Sequence, residues 1–260
     1  MSDPEKNFEK LVSIVNTLMG ENGCPWDKVQ TRESLKPYLV EEAYETLEAL
    51  DEGCPEKIKE ELGDLLYQIL FHAKISELKN EFDIGDVIES ISEKMVRRHP
   101  HVFQEGELHT PEQVVHQWEE IKKKEKINAT NHSILDNIPK ELPSLLRAQK
   151  LQKKAAKQGF DWDRVGEVFN KLDEEITEFK QAVLSGKDAD IAGELGDILF
   201  VLVNIAKFQK IDAEEALRNT NNKFIKRFQH IERAVAKRGK ELKDTPLEEM
   251  EKYWQQAKNL

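Results

Sequence analysis

Glu41-Glu42-Ala43-Tyr44-Glu45, followed by Glu61-Leu62-Gly63-Asp64, returns further along the chain as Glu174-Glu175-Ile176-Thr177-Glu178 followed by Glu194-Leu195-Gly196-Asp197. In both copies 16 positions separate the last glutamate of the first block from the glutamate that opens the second. Each block lies in apolar sequence of helical period, where a carboxylate is costly unless something pairs with it. At 3.6 residues per turn, positions i and i+4 lie about 40° apart around the axis, and i and i+3 about 60°. Glu41 and Glu45 therefore share a face with Glu42 beside them, and Glu61 and Asp64 share one on the next helix. The chain must turn near Cys54. Counting about 1.5 Å per residue outward from that turn puts Glu45 near 13 Å, Glu61 near 10 Å and Asp64 near 15 Å. An antiparallel helical hairpin thus gathers four carboxylates at one level, and the second copy, turning near Lys187, repeats the arithmetic. A single Glu-rich helix is most often a solvated face, but two copies at identical spacing argue for a shared cation. Hard oxygen donors suit Mg²⁺, with Mn²⁺ as the alternative. Histidine ligation is not expected, because five histidines in or near the first copy face only His230 in the second.

Outward from these blocks the duplication continues in order. Phe160-Asp161-Trp162-Asp163-Arg164-Val165 echoes Cys24-Pro25-Trp26-Asp27-Lys28-Val29, and Trp254 with Lys258 echoes Trp118 with Lys122. Apolar periodicity predicts helices over Glu5–Met19, Glu33–Leu50, Glu56–Leu78, Asp86–Arg98 (stopped by Pro100) and from Thr110-Pro111 through Lys126. The stretch 127–143, richer in Asn, Ser, Thr and Pro, reads as a linker between a domain at 1–126 and a second at 144–260. A period above 100 residues means two domains rather than a solenoid.

The whole chain agrees with an all-α reading. Of its 260 residues, 34% are charged and 38% hydrophobic, with 12 Gly and 9 Pro, a balance that suits long amphipathic helices. No window approaches a membrane span, and Met1 to Lys10 lacks the apolar core of a signal peptide. The two cysteines, Cys24 and Cys54, form neither a disulfide framework nor a thiolate zinc motif. A cytoplasmic protein with no membrane partner is expected. A formal charge of −11 argues against a nucleic-acid partner.

Cations recur as well. Lys94, Arg97 and Arg98, and later Lys223, Lys226 and Arg227, fall near the end of the helix after each acidic hairpin. There they can hold phosphate oxygens, or simply complement a helix C-terminus. Trp118 and Trp254 suit base stacking or cover of a bundle end. Lys122 lies in a run that reads as a solvated face yet is within reach of a phosphate. Gly63 and Gly196 sit inside helices, a cost that close approach of a partner helix or ligand, or tight packing, would offset.

Taken together, the EExxE…ExxD signature, the ELGDLL and ELGDIL blocks, Cys24-Pro25-Trp26-Asp27 and the stretch Lys94–Phe103 (KMVRRHPHVF) resemble the MazG nucleoside triphosphate pyrophosphohydrolases over nearly the whole chain. The resemblance implies four-helix units in tandem, a homodimer, and Mg²⁺-dependent hydrolysis of nucleoside triphosphates to monophosphate and pyrophosphate. It also implies broad base preference and a role in clearing the nucleotide pool. Implied metal ligands are Glu42, Glu45, Glu61 and Asp64, then Glu175, Glu178, Glu194 and Asp197. Glu41 and Glu174 would be outer ligands or activate water, beside Glu42 and Glu175. Lys94, Arg98 and Trp118, and Lys223, Arg227 and Trp254, match positions that contact the nucleotide. The second half lacks the Arg-His-Pro-His of the first but keeps Lys223, Arg227 and Trp254 in full, which favours it as the better site. A narrower pyrophosphohydrolase acting on a (d)NTP or phosphoribosyl nucleotide is the enzymatic alternative. A metal-binding helical interaction module is the non-enzymatic one.

Overall fold

The punctuation by Gly, Pro and Asp seen in the sequence becomes the joints of an all-α protein. The computed structural model describes residues 3–104, 110–126 and 133–258, and among these there is no strand. The chain divides into two units, Met1–Ala129 and Thr130–Leu260. The division falls inside the stretch 127–143.

In the first unit, α1 (Pro4–Leu18) starts at Asp3, whose side chain accepts from the Lys6 amide, with Pro4 where no amide bond is needed. A reciprocal pair of bonds between Thr31 and Ser34 opens α2 (Arg32–Glu52). That helix ends at Gly53, left-handed at φ 69°, and α3 (Pro55–Glu77) begins two residues later. The turn is therefore as tight as the carboxylate arithmetic requires. Val15 and Met19 of the α1 end, Leu35, and Leu70, Phe71 and Ile75 of α3 make the core, with Phe8, Leu11 and Val12 packed on it. Next, α4 (Ile84–Arg98) starts two residues before the expected Asp86, because Asp83 caps it and Asp86 returns the bond. Pro100 stops α4 as expected but also opens a short helix, α5 (Pro100–Phe103), which the sequence reading did not anticipate. α6 (Pro111–Lys126) follows.

The second unit repeats this order without a counterpart of α5: α7 (Ser144–Ala156), α8 (Val165–Ser185), α9 (Asp188–Phe208), α10 (Ala213–Ala236) and α11 (Leu247–Ala257). Gly186, at φ 71°, ends α8 as Gly53 ends α2. Two buried amides tie α7 down: Gln152 Nε2 donates to the Phe200 carbonyl of α9 at 2.7 Å, and Gln149 Nε2 to the Ile211 carbonyl, in the loop after α9, at 2.6 Å. Ile231 and Val235 of α10 bury against Tyr253 of α11, with Trp254 and Met250 alongside. Each hairpin also leaves an apolar side uncovered by its own unit: Leu47, Leu50, Leu62 and Ile69 in one, Val183, Leu195, Leu199 and Leu202 in the other.

Candidate active site

Two helices and one short turn position the acidic side chains of each unit. In the first, Glu42 and Glu45 on α2 and Glu61 on α3 each bring a carboxylate oxygen to within 4.8 Å of the others. Thr46 locks the helices at this level, its hydroxyl lying 2.8 Å from the Glu42 carbonyl and 3.3 Å from that of Glu61. Asp64, on α3, is not in this trio but is the strongest charge acting on Glu42. Burial holds the Glu42 carboxyl above its usual range, and the negative charges of Asp64, Glu45, Glu61 and Glu41 push it further. Glu61 is raised in the same way, by burial and then by Glu45 and Asp64. Glu41 is exposed at the edge.

In the second unit the oxygens of Glu175, Glu194 and Asp197 come within 4.8 Å of one another. Glu178 lies close enough to be the strongest charge acting on Glu194, whose carboxyl is raised by burial and then by Glu178, Glu175 and Asp197. Three of the four expected carboxylates converge in each hairpin, and the fourth, Asp64 in the first and Glu178 in the second, acts on them through its charge. A cluster of carboxylate oxygens that raise one another's proton affinity is the donor set of a hard divalent cation, so the residues fit Mg²⁺ or Mn²⁺.

The two clusters differ in one respect. Glu175 is buried and pairs with Lys171, whose Nζ lies 2.8 Å from Glu175 and 2.8 Å from Glu174. Bonds to Glu174 and Glu175 push the Lys171 ammonium above its ordinary proton affinity. Lys171 lies four residues before Glu175, and the residue four before Glu42 is Tyr38. One unit therefore carries a cation of its own at a place where the other has a phenol. Sequence reading missed Lys171, although the i,i+4 spacing to a glutamate was the available signal.

The basic residues divide differently. In the first unit Arg97 and Arg98 are both taken up by Glu125 of α6, at 2.9 and 2.7 Å, and these bonds hold the Glu125 carboxyl down to about 2. Trp118 meets His99 edge-on at 5.0 Å, and Lys122 Nζ lies 5.9 Å from the Trp118 ring centre. Lys94 lines a shallow cavity with Phe82, Asp86 and Ser90. In the second unit the Arg227 guanidinium lies 5.4 Å from the ring centre of Trp254, itself packed on Phe224, and Lys223 stands exposed one turn earlier on α10. Nothing comes within 4 Å of a Cβ built on Gly63 or Gly196, so tight packing inside the unit does not explain either glycine.

Against known proteins, the MazG nucleotide pyrophosphohydrolase domain model matches residues 30–103 and 165–232, one match on each hairpin. A nucleoside triphosphate pyrophosphohydrolase of Escherichia coli (strain K12) is 44% identical over 256 residues, 96% of this chain and 97% of that one. The nucleoside triphosphate pyrophosphohydrolase/pyrophosphatase MazG of Thermotoga maritima is 43% identical over 252 residues, covering 96% and 95%. A Bacillus subtilis protein, YabN, is 52% identical over 252 residues, which make 96% of this chain and 51% of that protein.

Proposed function

The chain belongs to the MazG nucleotide pyrophosphohydrolase family, and from that premise we propose that it is an enzyme hydrolysing nucleoside triphosphates to nucleoside monophosphate and pyrophosphate. The observation that carries this reading is the convergence of acidic oxygens within 4.8 Å in both hairpins. Glu42, Glu45, Glu61 and Asp64 would hold divalent ions in one unit, and Glu175, Glu178, Glu194 and Asp197 in the other. Bound Mg²⁺ would neutralise the triphosphate and make a bound water more acidic. Glu174, exposed beside Glu175 and paired with Lys171, would accept a proton from the attacking water, as would Glu41 beside Glu42. Lys223 and Arg227 would hold phosphate oxygens and stabilise the charge of the departing pyrophosphate. Because Arg97 and Arg98 are occupied by Glu125 while Arg227 is turned to Trp254, the second unit is the better-equipped site.

Broad base preference and a role in clearing the nucleotide pool accompany this proposal. The uncovered apolar sides of both hairpins support a homodimer. Free thiols at Cys24 and Cys54 suit a reducing cytoplasm, and no helix among the described residues is long and apolar enough to cross a membrane.

The test is product analysis with Mg²⁺ and single triphosphates on wild type, Glu42→Gln, Glu175→Gln and the double variant. Pyrophosphate with monophosphate is expected from wild type, and no turnover from a folded double variant. Orthophosphate as product, or near wild-type rates in the double variant, would refute the proposal. A panel of ribo- and deoxyribonucleotides separates broad from narrow preference.

A further inference from the structure

Arg97 and Arg98 close α4, and Glu125 lies in the last turn of α6. Arg97 Nε donates to Glu125 Oε1 at 2.9 Å. Arg98 grips both oxygens, from Nε to Oε1 at 3.4 Å and from Nη2 to Oε2 at 2.7 Å. A guanidinium holding two oxygens side by side is also the arrangement by which arginine holds a phosphate. Two adjacent arginines converging on one carboxylate therefore make an oxyanion site whose occupant belongs to the chain itself.

Docking of such a helix does not require this pairing. α11 is the equivalent helix of the second unit, carrying Trp254 where α6 carries Trp118, and it is anchored near its other end. There Glu249, five residues before Trp254, accepts from Arg238 Nη1 at 2.9 Å, Lys240 Nζ at 2.9 Å and the Tyr253 hydroxyl at 3.1 Å. Five residues before Trp118 stands Gln113, uncharged and bonded to the Thr110 amide. Among the described residues no carboxylate pairs with Lys226 or Arg227, so the cations after the second hairpin stay open to a phosphate.

The grip on Glu125 is one that a stronger anion can break. A carboxylate in the last turn of a helix works against that helix's own dipole. The Arg97 side chain is 54% exposed, so solutes reach the pair from solvent. A polyphosphate brings more charge and more acceptor oxygens than one carboxylate. We propose that Glu125 is an internal competitor for the arginines of the first unit, filling their oxyanion site until a polyphosphate displaces it. The inference rests on the first unit being a triphosphate site, as proposed above. It makes substrate affinity there weaker than the acidic cluster and the two arginines together would give.

The experiment uses the full-length chain carrying Glu175→Gln, so that the first unit reports, and follows pyrophosphate release from ATP with Mg²⁺. Glu125→Gln and Glu125→Ala are each expected to lower KM about fivefold, the scale of one part-exposed ion pair, with kcat kept. In a chain already carrying Arg98→Met, neither change should lower KM further, whereas a general loosening of α6 would act with or without Arg98. Unchanged or higher KM in both variants, or the same gain without Arg98, overturns the proposal. If this chain releases no pyrophosphate with or without Glu125, the enzymatic reading of the first unit falls by itself. The competitor is then judged by calorimetric titration with inorganic tripolyphosphate and Mg²⁺. Binding about fivefold tighter in Glu125→Gln than in its parent, and only with Arg98 present, upholds it. Equal or absent binding overturns it.

Discussion

Glu194 and Glu61 are the residues at which the balance of forces in each hairpin is easiest to measure. Both carboxyls are raised by burial first and by neighbouring carboxylates next. A folded-state value above the unfolded one means that the ionised form is disfavoured by folding, so stability is lost as pH rises above about 4.5. The metal-free protein is therefore expected to melt higher near pH 5 than near pH 7.5 as far as these groups contribute. Glu194→Gln should raise the melting temperature in EDTA at neutral pH and shrink the further rise on adding Mg²⁺, both read by scanning fluorimetry. Lys171 acts in the opposite sense: Lys171→Met leaves the buried Glu175 without its partner, so the melting temperature in EDTA should fall and Mg²⁺ should recover part of it. The acidic residues were legible because a charge in apolar periodic sequence is conspicuous. Lys171, Thr46 and Glu125 were not, since each gains its meaning from a neighbour on another turn or another helix.

At the scale of elements, the hairpins depend on the left-handed residues that close them. Gly53 and Gly186 lie at φ 69° and 71°, where a side chain is disfavoured, so Ala at either should cost about 1 kcal/mol. For a chain of this size that is a fall of about 2–4 °C in melting temperature. Docking of α6 follows a different rule. Its Glu125 is held down to about 2 by Arg98 and Arg97, so this tie is intact above the ordinary value near 4.5 and is lost as pH falls from there toward 2. Protection factors of the α6 amides, which correct for the intrinsic exchange rate, should accordingly fall across that window and stay constant from pH 5 to 8. Glu125→Gln should give the acid behaviour at neutral pH. The helices themselves could be read from spacing, and the tight joints from Gly53 and Gly186. The docking of α7 could not, because Gln149 and Gln152 find their carbonyl partners, those of Ile211 and Phe200, far along the chain.

On the scale of the whole molecule, the duplication was visible in the sequence because the echoing blocks keep their order, and the chain divides into units between Ala129 and Thr130. What a single chain could not reveal is which apolar residues remain uncovered. Leu199, 44% exposed on α9, is aligned with Leu195 and Leu202 on the open side of its hairpin. A second copy covering that side predicts a dimer by sedimentation, and Leu199→Asp should shift it toward monomer without loss of helical circular dichroism. The two-residue joints carry one more implication, for how such chains can change length over time. A residue gained inside α3 or α9 between the joint and its glutamate would swing that carboxylate by about 100° and carry it off the shared level. Insertions and deletions are therefore tolerable at 53–54 and 186–187 but ruinous a few positions away, which makes the bend the elastic part of each hairpin and the arms its fixed gauge.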